Sequence, residues 1–370
     1  MTRRIVQFGT SRFLQAHVDL FVHQARQSGQ DIGPITVVKT TTGGERSGRI
    51  AAFRRPGGFP VRIQGYRGDT VVDETVQVTS VDSALAADTD WARLADLFAG
   101  EADFVVSNVG DRGYEIGDAD RAAPPAAGTA AASFPAKLLQ LLLARHGAGR
   151  RPLTILPCEL VPANGAVLRR HVEDLAAAWK AGAAFSQWLR DSVVFTDTLV
   201  DRIVSAAIEP VGAVAEPYAL WAIRAESAPF THPAIVVTPD LETIERLKLH
   251  ILNLGHTWLA ETWLKEKRRE NETVKEILAD PHVRERLDAV YAEEVVPGFA
   301  ARGMESDAKT YIGVTYGRFL NPFLEHRVAD IVQNHAVKVA RRIAAFIDWA
   351  RGADGSLKMP RLQALAAAYA

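Results

Sequence analysis

Apolar residues follow two rhythms along this chain, and the change comes after about residue 240. In the first part, short β-prone runs alternate with stretches of helical period. "RIVQF" reads as a strand ended by "GTSR". "FLQAHVDLFVHQARQSG" then sets Phe13, Leu14, Val18, Phe21 and Val22 at helical spacing, with Gly29 near the expected C′ position. "PITVVKT", "DFVVSNV" and "PLTILPCEL" are further β-branched runs, the last two preceded by the helical "DWARLADLFAG" and "FPAKLLQLLLARHG". Strands alternating with helices predict a parallel sheet covered on both faces. "FRRPGGFPVRIQGYRGDTVVDETVQVTSV" differs: its alternating apolar residues and glycines predict antiparallel strands inserted in the sheet. "EPYALWAIRAE" and "PAIVVTPD" read as short strands, and the Ala-rich stretch 121–133 as a loop. From "DLETIERLKLHILNLGHTWLAETWLKEK" to "EHRVADIVQNHAVKVARRIAAFIDWAR" the period is helical.

Composition narrows the class. Of 370 residues, 48% are hydrophobic and 24% charged, which is ordinary globular usage. Lys and Arg number 43 against 44 Asp and Glu, so there is no electrostatic case for nucleic acid or an anionic membrane. One cysteine, Cys158, excludes an intramolecular disulfide and a Cys/His zinc cluster. No apolar run of signal-peptide or membrane-spanning length occurs. The expectation is a cytoplasmic protein, monomeric or a small homo-oligomer, with a small-molecule partner and no bound metal.

The turn "FGTSRF" brings the first candidate chemistry. A glycine after the first strand lets the chain turn onto a helix N-terminus, whose N–H groups and dipole suit a pyrophosphate. A full G-x-G-x-x-G is absent: Gly9 fits its first position, Ser11 takes the second, and no third glycine follows. The acidic residue expected at the end of the second strand is also missing, and "VVKTTTGGERSGR" offers Lys39, Thr40, Thr41, Gly43 and Gly44 instead. Candidate cofactor contacts are Phe8, Gly9, Thr10, Ser11, Arg12, Phe13, Lys39, Thr40 and Asn108, the last just past a predicted strand. A dinucleotide would make the first domain a Rossmann-like doubly wound sheet. The predicted architecture is thus α/β: such a sheet with inserted antiparallel strands over 1–210, then a mostly α-helical domain over 211–370.

"KLHILNLGH", residues 248–256, is the second candidate. On a helix advancing about 100° per residue from Lys248, Leu252 and Leu259 fall at about 40° and 20°. Lys248 therefore points into an apolar arc, with His256 at about 80° and Asn253 at about 140°. Two readings are open: a snorkelling lysine beside a core histidine, or a lysine whose pKa is lowered by burial so that it acts as a general base. In a straight helix Lys248 and His256 are about 12 Å apart along the axis, so they would meet only across a ligand or through a bend near Gly255. Asp201 and Arg202 lie inside the apolar "FTDTLVDRIV", and Arg318, Asn321 and His326 surround the proline of "GRFLNPFLEHR". Each suits an ion pair or cap as well as a binding site.

Together and in this order, the pieces resemble the long-chain mannitol dehydrogenase family of polyol and sugar-acid dehydrogenases. The match runs from "FGTSRFLQAH" to "YGRFLNPFLEHRVADI". "SFPAKLLQLLL", "ILPCELVPANGAVLRR", "FTDTLVDRIV" and "RFLNPFLEH" are similar to its tagaturonate reductase (altronate oxidoreductase) branch. The resemblance implies an NAD(P)-dependent oxidoreductase acting on a secondary alcohol of a sugar acid or polyol, with NAD as the expected cofactor and NADP left open. It implies Lys248 as general base without a metal, Asn253 polarising the reacting oxygen, and His256 orienting the substrate. Asp201, Arg318 and Glu159 are the implied substrate contacts. Leu160 stands where polyol members carry a second asparagine, which favours a sugar acid over mannitol. Ser11 and Gln15 also depart from the family's nucleotide loop. Two other readings stay open: a mannitol-1-phosphate-type enzyme with Arg318 and Arg327 holding phosphate, and a non-catalytic nucleotide- or sugar-acid-binding regulator.

Overall fold

The computed structural model describes residues 3–41, 47–110, 113–149 and 151–369. The chain forms two compact units, Met1–Ile63 with Asp73–Leu241, and Gln64–Val72 with Glu242–Ala370. The 210/211 boundary expected above falls inside the first unit, in the turn between two paired strands. Strand content on both sides of that turn belongs to the same sheet, which is why the apolar pattern blurs there.

The strands of the described residues are β1 (Arg4–Phe8), β2 (Ile35–Lys39), β3 (Phe59–Arg67), β4 (Thr70–Val78), β5 (Val81–Ala86), β6 (Ala102–Ser107) and β7 (Leu153–Pro157). They continue as β8 (Val193–Phe195), β9 (Thr198–Asp201), β10 (Val204–Ala207), β11 (Ala213–Ala215), β12 (Leu220–Ile223) and β13 (Ile235–Val237). A six-stranded sheet in the order β5-β2-β1-β6-β7-β8 carries the first unit. Every neighbouring pair in it is parallel. This is the doubly wound dinucleotide-binding order, and it reverses between β1 and β6. β2 is buried at all five positions, as a strand covered on both faces must be. Ile5 and Val37 pack on one face with Val18, Phe21 and Val22. Val6, Phe8 and Val38 pack on the other with Leu138, Leu142 and Leu168.

The inserted strands are β3 and β4, joined by the two-residue turn Gly68–Asp69, a connection that antiparallel neighbours make. They extend a second sheet, β10-β11-β3-β4, and the tip of the hairpin groups with the second unit. The sequence reading ran the insertion through "TSV". Val81 instead opens β5, the third parallel strand of the main sheet.

The second unit is built on helices Leu241–Lys265, Pro281–Ala300, Glu305–Phe319 and His335–Arg351, with shorter helices Val274–Leu278, Val328–Val332 and Pro360–Ala367. The continuous helix expected through "EHRVADIVQNHAVKV" breaks at Asn334, whose φ of 58° is left-handed. No helix among the described residues is long and apolar enough to cross a membrane.

Among the described residues, π turns interrupt four helices: Gln15–Asp19 in the first unit, and Lys248–Asn253, Tyr291–Val295 and Ala340–Ala344 in the second. Asp19, fully buried at the end of the first of these, lies near Gln7 of β1. Burial pushes its carboxyl well above the usual range, so the folded protein retains a proton that the unfolded chain loses. The stability this group contributes is therefore full at acid pH and is lost as pH rises through the folded pKa. Asp19→Asn should flatten that decline and raise the melting midpoint at mildly alkaline pH. The expected gain is about 2–4 °C for each kcal/mol recovered. An unchanged pH dependence of the midpoint would count against this reading.

Candidate active site

In the first unit, the chain ends of β1, β2 and β6 stand side by side at the point where strand order reverses. Phe8 pairs in register with Val38 on one side and Ser107 on the other, which aligns Gly9, Lys39 and Asn108 along the carboxyl edge. Gly9 has φ 121°, and a Cβ there would lie 2.5 Å from the Asn108 carbonyl oxygen. Only glycine allows the chain to pass that close to the neighbouring strand. Ser11 then caps the helix, its hydroxyl accepting from Leu14 N at 3.2 Å and donating to Asn108 Oδ1 at 3.1 Å. The N–H groups of Arg12 and Phe13 belong to the turn before the intrahelical ladder begins. A glycine that no side chain can replace, opening onto a capped helix N-terminus at the switch point, fits a dinucleotide pyrophosphate.

Other predicted contacts sort themselves by burial. Phe8 is in the core between Phe98 and Phe134, leaving only its backbone at the edge. Phe13 stacks on His17 at 4.8 Å, and Arg12 is exposed. The Thr10 carbonyl accepts from Gln15 Nε2 at 3.2 Å and from Arg49 at 3.5 Å. Gln15 also accepts from Gly212 N at 2.8 Å, so it ties the turn to the β10–β11 connection. That bond explains an amide at this position. Lys39 is buried and Thr40 half-buried at the end of β2, while Gly43 and Gly44 lie outside the described residues.

Glu159 and Asp201 also fall in the first unit. The Glu159 carboxylate accepts from Val109 N at 3.1 Å and from the Ser107 and Tyr114 hydroxyls, each at 3.0 Å. Burial raises its pKa in spite of these donors. It clasps the ends of β6 and β7, and Asn108 reinforces the clasp by donating to the Cys158 carbonyl at 2.8 Å. Leu160, the next residue, is 76% exposed. Asp201 is buried at the end of β9. Its neighbour Arg202 donates to the Glu216 carbonyl at 2.9 and 2.7 Å and to the Ala16 carbonyl at 2.5 Å, fastening the N-terminal helix to β11.

In the second unit, the segment Lys248–Asn253 is a π turn and not the straight α-helix the periodicity predicted. The difference decides which residues share a face. With i→i+5 bonding, the residue five ahead takes the place that i+4 holds in an α-helix. Asn253 therefore stands next along the same face from Lys248. His256 follows three residues later in regular α-helix, where three-apart residues are neighbours. Lys248 and Asn253 are half-buried, and His256 is buried.

His256 packs against Phe319 with ring centroids at 4.5 Å and meets His326 edge-on at 4.9 Å. Its pKa is held well below the ordinary imidazole value, first by burial and then by His326, Arg318, Arg342 and Lys338. His256 is thus neutral in a pocket of positive charge, able to donate from one ring nitrogen and accept at the other. Arg318 is buried in the last turn of Glu305–Phe319. Asn321 caps the following turn, accepting from Phe323 N at 3.0 Å and donating to the Gln64 carbonyl at 3.0 Å. Arg327 pairs with Asp330 at 3.3 Å in an exposed position.

Lys338 and Arg342 were not singled out in the sequence. A signal was there: like charges at i, i+4 on one helix repel, and such a pair needs a reason.

The geometry agrees with the comparisons. The family model "Mannitol dehydrogenase Rossmann domain" matches residues 3–236, and "Mannitol dehydrogenase C-terminal domain" matches residues 240–370. An altronate oxidoreductase of Bacillus subtilis (strain 168) is 27% identical over 365 residues, spanning 92% of this chain and 73% of that protein. The fold is shared with a D-sorbitol dehydrogenase in substrate-free form, at TM-score 0.81 and 18% identity over 99% of this chain and 79% of that one. It is also shared with Pseudomonas fluorescens mannitol 2-dehydrogenase in a ternary complex with NAD and D-mannitol, at TM-score 0.72 and 20% identity over 100% of this chain and 78% of that one. On the strength of both matched domains, the chain belongs to the mannitol dehydrogenase family.

Proposed function

We propose that this dehydrogenase, acting on CH–OH groups with NAD, oxidises and reduces a secondary alcohol of a sugar acid, with Lys248 as its general base. The observation that carries the reading is the π turn: it sets Lys248, Asn253 and His256 on one face beside a pocket of cations. The Gly9 turn and the Ser11-capped helix would hold the pyrophosphate. When bound, the nicotinamide supplies the hydride acceptor. Lys248 Nζ takes the hydroxyl proton as the carbinol C–H bond breaks and the carbonyl forms. Asn253 Nδ2 donates to the oxygen as charge gathers on it. Neutral His256 hydrogen-bonds a neighbouring hydroxyl and fixes the substrate's orientation. In the reverse direction the protonated lysine returns its proton to the same oxygen.

The substrate class follows from charge. Arg318, Arg342 and Lys338 place positive charge around His256, and a neutral polyol gains nothing from that field. A carboxylate does, and the altronate oxidoreductase relative points the same way. A charge-assisted hydrogen bond contributes about 1.5–3 kcal/mol, so an aldonate should exceed the matching neutral polyol by roughly 10–100-fold in kcat/KM. The test is nicotinamide absorbance with a panel of aldonates and polyols. NADP⁺ should be run beside NAD⁺, because the described end of β2, Lys39 to Thr41, sets no carboxylate against a 2′-phosphate. Equal kcat/KM for acids and polyols would overturn the sugar-acid assignment.

A further inference from the structure

In the second unit, the π turn Lys248–Asn253 is bonded to each of the other two. Arg342, in the turn Ala340–Ala344, donates to the Asn253 carbonyl at 3.3 Å and to the Thr257 hydroxyl at 3.1 Å. Thr257 donates to the same Asn253 carbonyl at 2.9 Å. In return, the ring nitrogen Nδ1 of His250, inside the Lys248–Asn253 turn, donates to the Arg342 carbonyl at 3.1 Å. Tyr291, which opens the third turn, donates its hydroxyl to the Ile251 carbonyl at 2.9 Å. Gly255 makes that contact possible, since a Cβ there would lie 2.0 Å from the Tyr291 hydroxyl oxygen.

A π turn is an unusual state for a helix. One residue is inserted, the i→i−4 ladder is interrupted, and backbone groups need partners from elsewhere. Here the partners come from two other helices and converge on Ile251 and Asn253. Were the segment to relax to α-helix, Asn253 would rotate away from Lys248 to the roughly 140° separation of a straight helix, where the two no longer share a face. The lysine and the amide could not then serve one substrate oxygen.

We propose that Arg342 is a positioning residue: by holding the Asn253 carbonyl it keeps Lys248–Asn253 in the π register that lines up Lys248, Asn253 and His256. The proposal rests on the catalytic reading given above. It assigns Arg342 a role different from pairing with the substrate carboxylate, and the two roles separate experimentally. A carboxylate partner affects KM for acids alone. A positioning residue affects kcat for acids and neutral polyols alike.

The test combines Arg342→Ala, Arg342→Lys and the milder Thr257→Val, which removes the second donor to the same carbonyl and the hydroxyl that Arg342 also reaches, but leaves the guanidinium in place. Hydrogen exchange across 248–257 reads the turn directly, and kcat and KM are measured on an aldonate and a neutral polyol. The expected result is faster exchange in that segment and kcat lowered by a common factor of roughly 10–100 on both substrates. Added guanidinium should partly restore Arg342→Ala. Combining Arg342→Lys with Thr257→Val should cost less than the product of the two, because both hold one oxygen. Should Arg342→Ala fail to fold, Arg342→Lys and Thr257→Val carry the same comparison. Unchanged exchange, or a loss confined to KM for the acid, overturns the proposal. Faster exchange with turnover intact overturns it too, and also the catalytic reading of Asn253, a failure that the Lys248 variants would reveal on their own.

Discussion

Lys248→Ala should lower kcat by at least about a hundredfold, the lower range for loss of a general base, with a smaller change in KM. The physical reason is the site's division of labour. In the proposed mechanism Asn253 and His256 shape the approach of the substrate, but neither takes the hydroxyl proton. Without the amine, the alcohol must lose that proton to water in a site whose neighbours Ile251 and Leu252 are buried. Lys248→Arg should not restore the rate, because a guanidinium stays protonated and cannot accept a proton. Wild-type turnover in Lys248→Ala would remove the base assignment.

Asn253→Ala should cost about 10²–10³ in kcat, as expected for one donor to a developing oxyanion. Asn253→Asp should be as damaging as alanine, since a carboxylate repels the charge the amide attracts. Steady-state kcat and KM on an aldonate read both. A loss in KM alone would make Asn253 a binding group with no role in the reaction step.

Much of this was legible in the sequence, for reasons that can be named. The parallel sheet was readable because β-branched runs of strand length alternate with amphipathic helices, and because a strand covered on both faces, such as β2, is apolar throughout. The Gly9 turn was readable because the glycine is forced: nothing with a Cβ fits against Asn108. β5 was missed because "VDSALA" is weakly patterned and follows directly on a hairpin. The boundary between the units was misplaced because β11, β12 and β13 are three or four residues long, too short for period to identify.

The Lys248 segment shows a different limit. Its residues were singled out as unusual, yet a wheel drawn at 100° per residue separated Lys248 from Asn253. A π turn leaves no mark in apolar periodicity, because it depends on partners about 40 and 90 residues away, Tyr291 and Arg342. Glu159 shows the opposite case. The sequence offered it as a substrate contact, and the fold buries it with three donors that hold the sheet edge. A buried carboxylate and a substrate-facing one look alike until the surrounding hydroxyls are known.

The most direct test of the central claim is amine rescue of Lys248→Ala, followed by nicotinamide absorbance with an aldonate and NAD⁺. If Lys248 is the base, the variant turns over slowly alone, and added methylamine restores part of the rate in proportion to the free amine present, so that rescue grows with pH. If the variant runs at the wild-type rate without amine, or if amines small enough to enter give no rescue in a folded variant that still binds substrate, the proton is taken elsewhere and the account is wrong.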